Sequence, residues 1–323
     1  MVAYTLYEAD NRVMRYAETL AKRGDEVDVI AIRKGGWQDP APRNGVRVLR
    51  VQERTQNEKR QITYLFRTSM FFLRAMIRLS INHIRKPYQL VHVHSVPDFL
   101  VFTAWLPRLM GAKVILDIHD ILPEFYASKF HSRKDGPVFR FMVWIEKVSC
   151  AFAHHVIIAN HLWQERILSR SVSPSKCTVI LNYPDPSIFY RRGRSRNDDR
   201  FVMLYPGSLG AHQGLDIAIR ALAKVKDVVP QADFHIHGGG KGMPDLVKLV
   251  NELSVGDRVL FCPVLPIWEI AEVMENADLA VVPKRKDSFA NEAFSTKTLE
   301  FMALGVPLLI SDTAVDLYYF DDR

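Results

Sequence analysis

The chain of 323 residues is long enough for two domains of ordinary size, and with 48% hydrophobic and 24% charged residues it is globular, not disordered. A net charge of +7 suits anionic ligands or an anionic membrane surface. No aromatic-basic motif accompanies it, so no nucleic-acid partner is expected.

The three cysteines, Cys150, Cys177 and Cys262, are far apart and offer neither a disulfide frame nor zinc spacing. They fit a reducing compartment, and a cytoplasmic location is expected. No signal peptide opens the sequence, and no apolar run reaches the ~18 residues of a transmembrane helix. Both ends read as cut. Val2 to Thr5 is short for a first strand, and Asp321-Asp322-Arg323 follows closely on a core strand, so the second domain is expected to be incomplete.

Asp10 is placed to cap a helix through Arg23, with Val13, Ala17 and Leu20 on one face and Gly24 as its stop. Val27 to Ile32 is a buried strand, and this strand–helix–strand opening predicts a parallel sheet. The Gly-x-Gly-x-x-Gly fingerprint is missing after the first strand, which argues against a nicotinamide oxidoreductase. Val46 to Val51 is a further short strand.

Residues 63–86 differ in character. Arg67, Arg74, Arg78, Arg85 and Lys86 mix with Phe66, Phe71, Phe72, Leu73, Met76 and Ile77. The pattern fits a core-facing helix with a basic solvent side. It fits equally an interfacial helix lying on anionic lipid, which would give peripheral membrane contact.

Leu90 to His94 is a buried strand, and a helix is predicted around Leu100 to Met110, kinked or ended by Pro107. Val114 to Asp117 is the next strand. His92 and His94 alternate with valines and read as structural. His119 stands just past a strand end, where open parallel sheets bind their ligands. Asp120 is expected to brace His119 or the Glu124 loop. Phe139 to Ala153 and Leu162 to Leu168 are helical, and His155 to Ala159 and Thr178 to Asn182 are strands. The polar run of residues 191–200 has no apolar period and reads as a linker. The expected division is therefore 1–185, a linker at 186–200, and 201–323.

The second half starts over. Strands are predicted at Phe201 to Tyr205, Asp233 to His237, Val259 to Cys262 and Leu279 to Pro283. Helices are predicted at Leu215 to Val229, Pro244 to Leu253 and Ile267 to Glu275. The glycine run of residues 238–242 is not a Walker loop. Regular alternation again means a doubly wound sheet.

The most informative stretch runs from Lys284 to Ser311. Ser295 is placed to N-cap a helix from Thr296 to Leu304, Gly305 to stop it, and Val306 to Ile310 to follow as a strand. Lys297 is an anomaly, because a cation in the first turn opposes the helix dipole. An external anion would resolve it: the amides, the hydroxyls of Ser295 and Thr296, and Lys297 together describe a phosphate site. Glu292 and Glu300 have seven residues between them. As carboxylates they suit hydroxyl groups, so the stretch describes a sugar nucleotide.

This wording resembles the family-4 retaining glycosyltransferases, marked by two glutamates with that separation, and within them the subgroup that builds bacterial surface polysaccharides. The resemblance implies the GT-B arrangement of two facing α/β Rossmann-like domains: acceptor-binding first, sugar-nucleotide-binding second. It places Glu292 by the donor sugar and Glu300 on the ribose. The segments VHVHSVPDFL and LDIHDILPE look like the family's acceptor-domain loops, with the active-site histidine at His119. One departure stands out. Where many relatives carry an Arg and a Lys aimed at the diphosphate, this chain has Ser208 and Gln213, with His212 beside them. The charge is then expected from Lys297, Lys284 and its neighbours, His212 and backbone amides.

The expected activity is metal-independent retaining transfer of a hexosyl or N-acetylhexosaminyl group. The donor would be a UDP- or GDP-sugar, and the acceptor a saccharide or polyprenyl-linked sugar. No cofactor and no metal are expected. The rivals are a sugar-nucleotide 2-epimerase and an inactive, truncated or membrane-attached partner.

Overall fold

The computed structural model describes residues 1–35, 44–54, 61–130, 136–286 and 289–320. The chain divides into two compact units, Met1–Leu181 and Asn182–Arg323.

The first unit holds seven strands: β1 (Val2–Leu6), β2 (Val27–Lys34), β3 (Val46–Arg54), β4 (Leu90–His94), β5 (Lys113–Ile118), β6 (His155–Ile158) and β7 (Cys177–Val179). They form one parallel sheet in the order β3-β2-β1-β4-β5-β6-β7. β1 is thus central, despite its short reading in the sequence. Val29, Val93, Val114 and Leu116 are fully buried, as expected of strands covered on both faces.

The first helix, α1 (Asn11–Lys22), starts where Asp10 predicts: its carboxylate accepts from the Val13 amide at 3.2 Å. Gly24 follows at φ +99°, a conformation that costs glycine least.

The long helix α2 (Gln61–Arg85) sets Phe71, Ala75 and Leu79 into the core. The predicted helix at Leu100 to Met110 is instead a 3-10 segment, Asp98–Ala104, followed by a short α3 (Trp105–Leu109). Pro107 explains the break, since it cannot return a hydrogen bond to the preceding turn. A helix absent from the sequence reading, α4 (Leu122–Phe130), follows β5. Then come α5 (Pro137–Phe152) and α6 (His161–Leu168), the latter capped by Asn160 on the Trp163 amide.

The second unit has a parallel sheet of β8 (Phe201–Pro206), β9 (Ala232–His237), β10 (Val259–Cys262), β11 (Leu279–Val282) and β12 (Leu308–Ile310), in the order β10-β9-β8-β11-β12. Its helices are α7 (Leu215–Val225), α8 (Met243–Glu252), α9 (Ile267–Glu275), α10 (Thr296–Leu304) and α11 (Ala314–Tyr319). The first of these stops four residues before its predicted end, because Val229 precedes Pro230 and is steered away from helical geometry. The last is absent from the sequence reading. The chain runs from β8 outward to β10 and returns to β11 on the other side of β8, so the strand order reverses between β8 and β11. Ligands of open α/β sheets bind at such a reversal, beyond the carboxyl ends of the strands.

Residues 186–200, read as a solvated linker, lie within the second unit. Phe189 is buried against Leu204, Met274 and Phe301. Arg194 and Arg196 pair with Asp278, and the amides of Arg192 and Gly193 donate to Glu275. The run has no apolar period because charge, rather than burial, holds most of it.

Candidate functional site

In the second unit, the turn after β8 is built by close backbone approach. A Cβ on Gly214 (φ +68°) would stand 1.8 Å from the Pro283 carbonyl oxygen, and one on Gly238 would stand 1.8 Å from that of Gly207. Only glycine fits either place. The Arg285 amide donates to the His212 carbonyl at 3.0 Å, and its guanidinium donates to the Ala211 carbonyl at 3.1 Å. The turn carrying Ser208 and His212 is thereby laced to the chain leaving β11. Ser208 is exposed, and its carbonyl accepts from the Tyr205 hydroxyl at 2.8 Å. His212 is also exposed, its Nε2 3.0 Å from the Gln213 amide nitrogen.

The helix α10 begins at Thr296 as predicted, with Ser295 in the extended N-cap conformation. The expected cap bond is absent. The Ser295 hydroxyl is buried and makes no hydrogen bond among the described residues. Of the helix's first amides, that of Thr298 donates to the Ser295 carbonyl at 3.2 Å, while those of Thr296 and Lys297 lack intrahelical partners by geometry.

The Lys297 side chain reaches back from α10 to the end of β8. Its Nζ lies 5.2 Å from the centroid of the Tyr205 ring, and a Cβ on Gly207 would stand 3.2 Å from it. Lys297 has no salt bridge among the described residues. Burial lowers its pKa, Glu300 opposes that shift, and Lys284 adds to it. A half-buried cation between a glycine and an aromatic face, with no salt bridge among the described residues, is placed to take an anion.

Lys284 behaves differently. It is 6% exposed and pairs with buried Asp316 at 2.9 Å, while its Nζ also donates to the Ala293 carbonyl at 2.9 Å. Its amine thus holds the loop that carries Glu292. That loop is held a second time by α11: the Ala314 amide donates to the Asn291 side chain and the Val315 amide to the Asn291 carbonyl. Asp316, Thr313 and Asn291 are the functional supports that sequence reasoning missed, and the Thr313-x-x-Asp316 spacing of a capped helix was their one visible signal. Glu292 lies in the loop after β11 and Glu300 one turn into α10, and both are half-buried. The second unit therefore brings Ser208, His212, Ser295, Thr296, Lys297, Glu292 and Glu300 to one end of its sheet. Lys284 serves there from within the core.

In the first unit, His119 follows β5 directly and is half-buried. Its Nε2 lies 3.0 Å from His94 Nδ1 and 3.3 Å from Asp117 Oδ2. Asp117 is fully buried and faces His94 in the register of β4 and β5. Arg12 of α1 grips both of its oxygens, at 2.9 and 2.8 Å, and donates at 2.8 Å to the Ile180 carbonyl. Burial alone would raise the Asp117 pKa, but His119, His92 and His94 beside it hold the carboxyl well below the usual range. Burial pushes His94 well below its ordinary value, with His92 adding to the effect.

Among the described residues, His92, His94 and Asp117 form a group whose ligand atoms lie within 4.8 Å of one another. The set does not fit a metal ion, because both carboxylate oxygens are committed to Arg12 and a cation would face a buried guanidinium. Among the described residues no hydrogen bond joins Asp120 to Glu124, which Arg170 holds at 2.6 Å.

The Glycosyl transferase 4-like domain family matches residues 9–183, and the Glycosyl transferases group 1 family matches residues 187–322. An uncharacterised glycosyltransferase of Methanocaldococcus jannaschii is 26% identical over 317 residues, covering 91% of this chain and 74% of its own. The D-inositol 3-phosphate glycosyltransferase of Thermomonospora curvata is 25% identical, covering 92% and 73%. Among solved structures, sucrose-phosphate synthase of Thermosynechococcus elongatus aligns with a TM-score of 0.76 at 18% identity, covering 98% of this chain and 82% of that one. Anabaena HepE with UDP-glucose aligns at 0.71 and 16% identity, covering 99% and 82%. Those similarities establish the fold, two parallel-sheet α/β domains of the GT-B type. With more than half of its length matched by the first profile, the chain belongs to the glycosyl transferase 4-like family and is a glycosyltransferase.

Proposed function

We propose that the protein moves a hexosyl or N-acetylhexosaminyl group from a UDP- or GDP-sugar to a saccharide or polyprenyl-linked acceptor, with retention of configuration, in surface-polysaccharide synthesis. The observation that carries this reading is Lys297. The residue stands in the first turn of α10, half-buried and without a salt bridge among the described residues, and its amine lies against Gly207 and the Tyr205 ring. A diphosphate there would accept from the amides and meet the lysine. That is where negative charge grows as the glycosidic bond breaks.

Glu300 then takes the ribose and Glu292 the donor sugar, while Ser208 and His212 border the phosphates. His119 is the sugar-binding candidate within the first unit. No metal is needed in this scheme, because the lysine and helix amides neutralise the leaving group. Similar proteins support the donor class: HepE structures hold UDP and UDP-glucose. Another aligned structure, WaaG, acts in lipopolysaccharide biosynthesis, which supports the acceptor class.

The test is mass spectrometry of products from a panel of nucleotide sugars offered with lipid-linked and free saccharides, with the anomeric configuration read by NMR. A glycosylated acceptor of retained configuration is expected. An epimerised sugar released with free UDP and no acceptor product would overturn the reading.

A further inference from the structure

The basic run Lys284-Arg285-Lys286 leaves β11 with three cations, and each is paired with an aspartate of the second unit. Lys284 pairs with Asp316 at 2.9 Å, Lys286 with Asp312 at 2.6 Å, and Arg285 with Asp216. Asp216 stands in the first turn of α7, Asp312 just past β12 and Asp316 on α11. The run therefore commits its charge inside the unit and ties the exit of β11 to three neighbouring elements.

Arg285 makes the most of these ties. Its amide donates to the His212 carbonyl at 3.0 Å, its Nε to the Ala211 carbonyl at 3.1 Å, and its Nη2 to Asp216 Oδ2. One planar guanidinium thus holds both ends of the segment 211–216, with a fork geometry that an ammonium does not reproduce. Between those ends lie a short 3-10 turn, Ala211–Gln213, and Gly214 at φ +68°. His212 folds back over the turn: a Cβ on Gly210 would stand 2.6 Å from His212 Cε1. On the other flank the Leu209 amide donates to the Gly239 carbonyl at 3.2 Å, and the Gly242 amide to the Leu209 carbonyl at 3.1 Å.

We propose that Arg285 and Asp216 are positioning residues: together they fix the turn of residues 208–213, and His212 with it, and donor binding depends on that fixation rather than on the charge of Arg285. The link to the donor rests on the reading given under Proposed function. The fixation of the turn does not.

The sign of one substitution separates a clamp from a phosphate ligand. If Arg285 met the phosphates directly, Asp216 would compete with them for the guanidinium and repel them. Asp216→Asn would then strengthen diphosphate binding. If the pair fixes the turn, the same change weakens it. Arg285 and Asp216 are 43% and 32% exposed, so their pairing adds little to the stability of the whole fold. A change in binding is then not a by-product of unfolding, and melting curves check this.

The experiment combines hydrogen exchange of the full chain, read by mass spectrometry over residues 208–215, with calorimetry of UDP and GDP binding. The amides of Gln213 and Gly214, which donate to the Gly210 and Ala211 carbonyls, should exchange faster in Arg285→Ala and in Asp216→Asn. Nucleotide affinity should fall about tenfold in each, with no further fall in the double variant. Arg285→Lys, which keeps the charge but not the fork, should recover little of it.

Unchanged exchange in Arg285→Ala would overturn the proposal. So would nucleotide binding in Asp216→Asn as tight as in the wild type, or tighter. If the wild type binds neither nucleotide, the donor reading fails, and exchange by itself decides whether the pair fixes the turn.

Discussion

Lys284 and Asp316 form a buried ion pair at 2.9 Å, 6% and 2% exposed, between the end of β11 and the last helix. The pair ties a strand end that borders the site to a helix that only supports it. Lys297, on the next helix, has no such partner among the described residues. Two lysines of one basic stretch thus have opposite roles.

Removing one member of the buried pair leaves the other charge uncompensated. Lys284→Ala or Asp316→Ala should each cost about 3–5 kcal/mol of stability. A chemical denaturation curve checks this. The paired change Lys284→Met with Asp316→Leu should recover much of the loss, because it removes both charges and keeps apolar volume.

Lys297→Ala should leave the empty protein as stable as before or slightly more so, because it relieves a half-buried cation that opposes the helix dipole. It should weaken nucleoside diphosphate binding by about 1.5–3 kcal/mol, the worth of a charge-assisted hydrogen bond. Melting curves with and without UDP and GDP read both quantities. A destabilised empty protein with an undiminished diphosphate shift would make Lys297 structural.

Asp98 gives a pH dependence. Its pKa is raised to about 7 by burial and then by Glu146, with Ser95 and Arg170 opposing. Arg170 is itself committed to Glu124 and Glu146, at 2.6 Å each. The folded pKa lies above the unfolded value of 3.8, so the native state holds its proton longer. The contribution of Asp98 is fully present below pH 3.8 and is lost as pH rises to about 7. Asp98→Asn should therefore gain stability relative to the wild type across that interval, with a constant advantage above it. Urea denaturation at several pH values measures the difference.

The outer side of α2 makes a fourth case. Phe66, Leu73, Ile77 and Ile84 are exposed along one face, while Phe71, Ala75 and Leu79 fill the core on the other. Arg67, Arg74, Arg78 and Arg85 recur at helical spacing beside the exposed stripe. Liposome sedimentation should find binding to anionic vesicles and much less to neutral ones. Leu73→Ser with Ile77→Ser should weaken it at least tenfold, since each buried aliphatic side chain contributes about 1.5–3 kcal/mol. Equal binding to both vesicle types, or none, would return the stripe to the ordinary surface. No described helix is long and apolar enough to cross a membrane.

The sequence by itself determined the strand–helix alternation, the start and stop of α10, and the capped start of α1. Each of these is local. A cap, a glycine stop or a continuous apolar run is settled by a few neighbouring residues, so its signal survives without the fold. It also marked the glutamates and Lys297, because a lysine at a helix start conflicts with the local dipole. Tertiary structure decided what each charge faces. Lys284 and Lys297 look alike in the sequence, and only the position of α11 makes one a core ion pair. Asp117 read as the end of a strand, and nothing in the sequence singled out Arg12. Their pairing spans 105 positions and depends on α1 packing against the sheet. Residues 191–200 lacked any apolar period because their partners, Glu275, Asn276 and Asp278, lie some eighty residues on. Charge pairing across such distances leaves no periodic trace, and that is why the supports of the site were hidden while its signature was not.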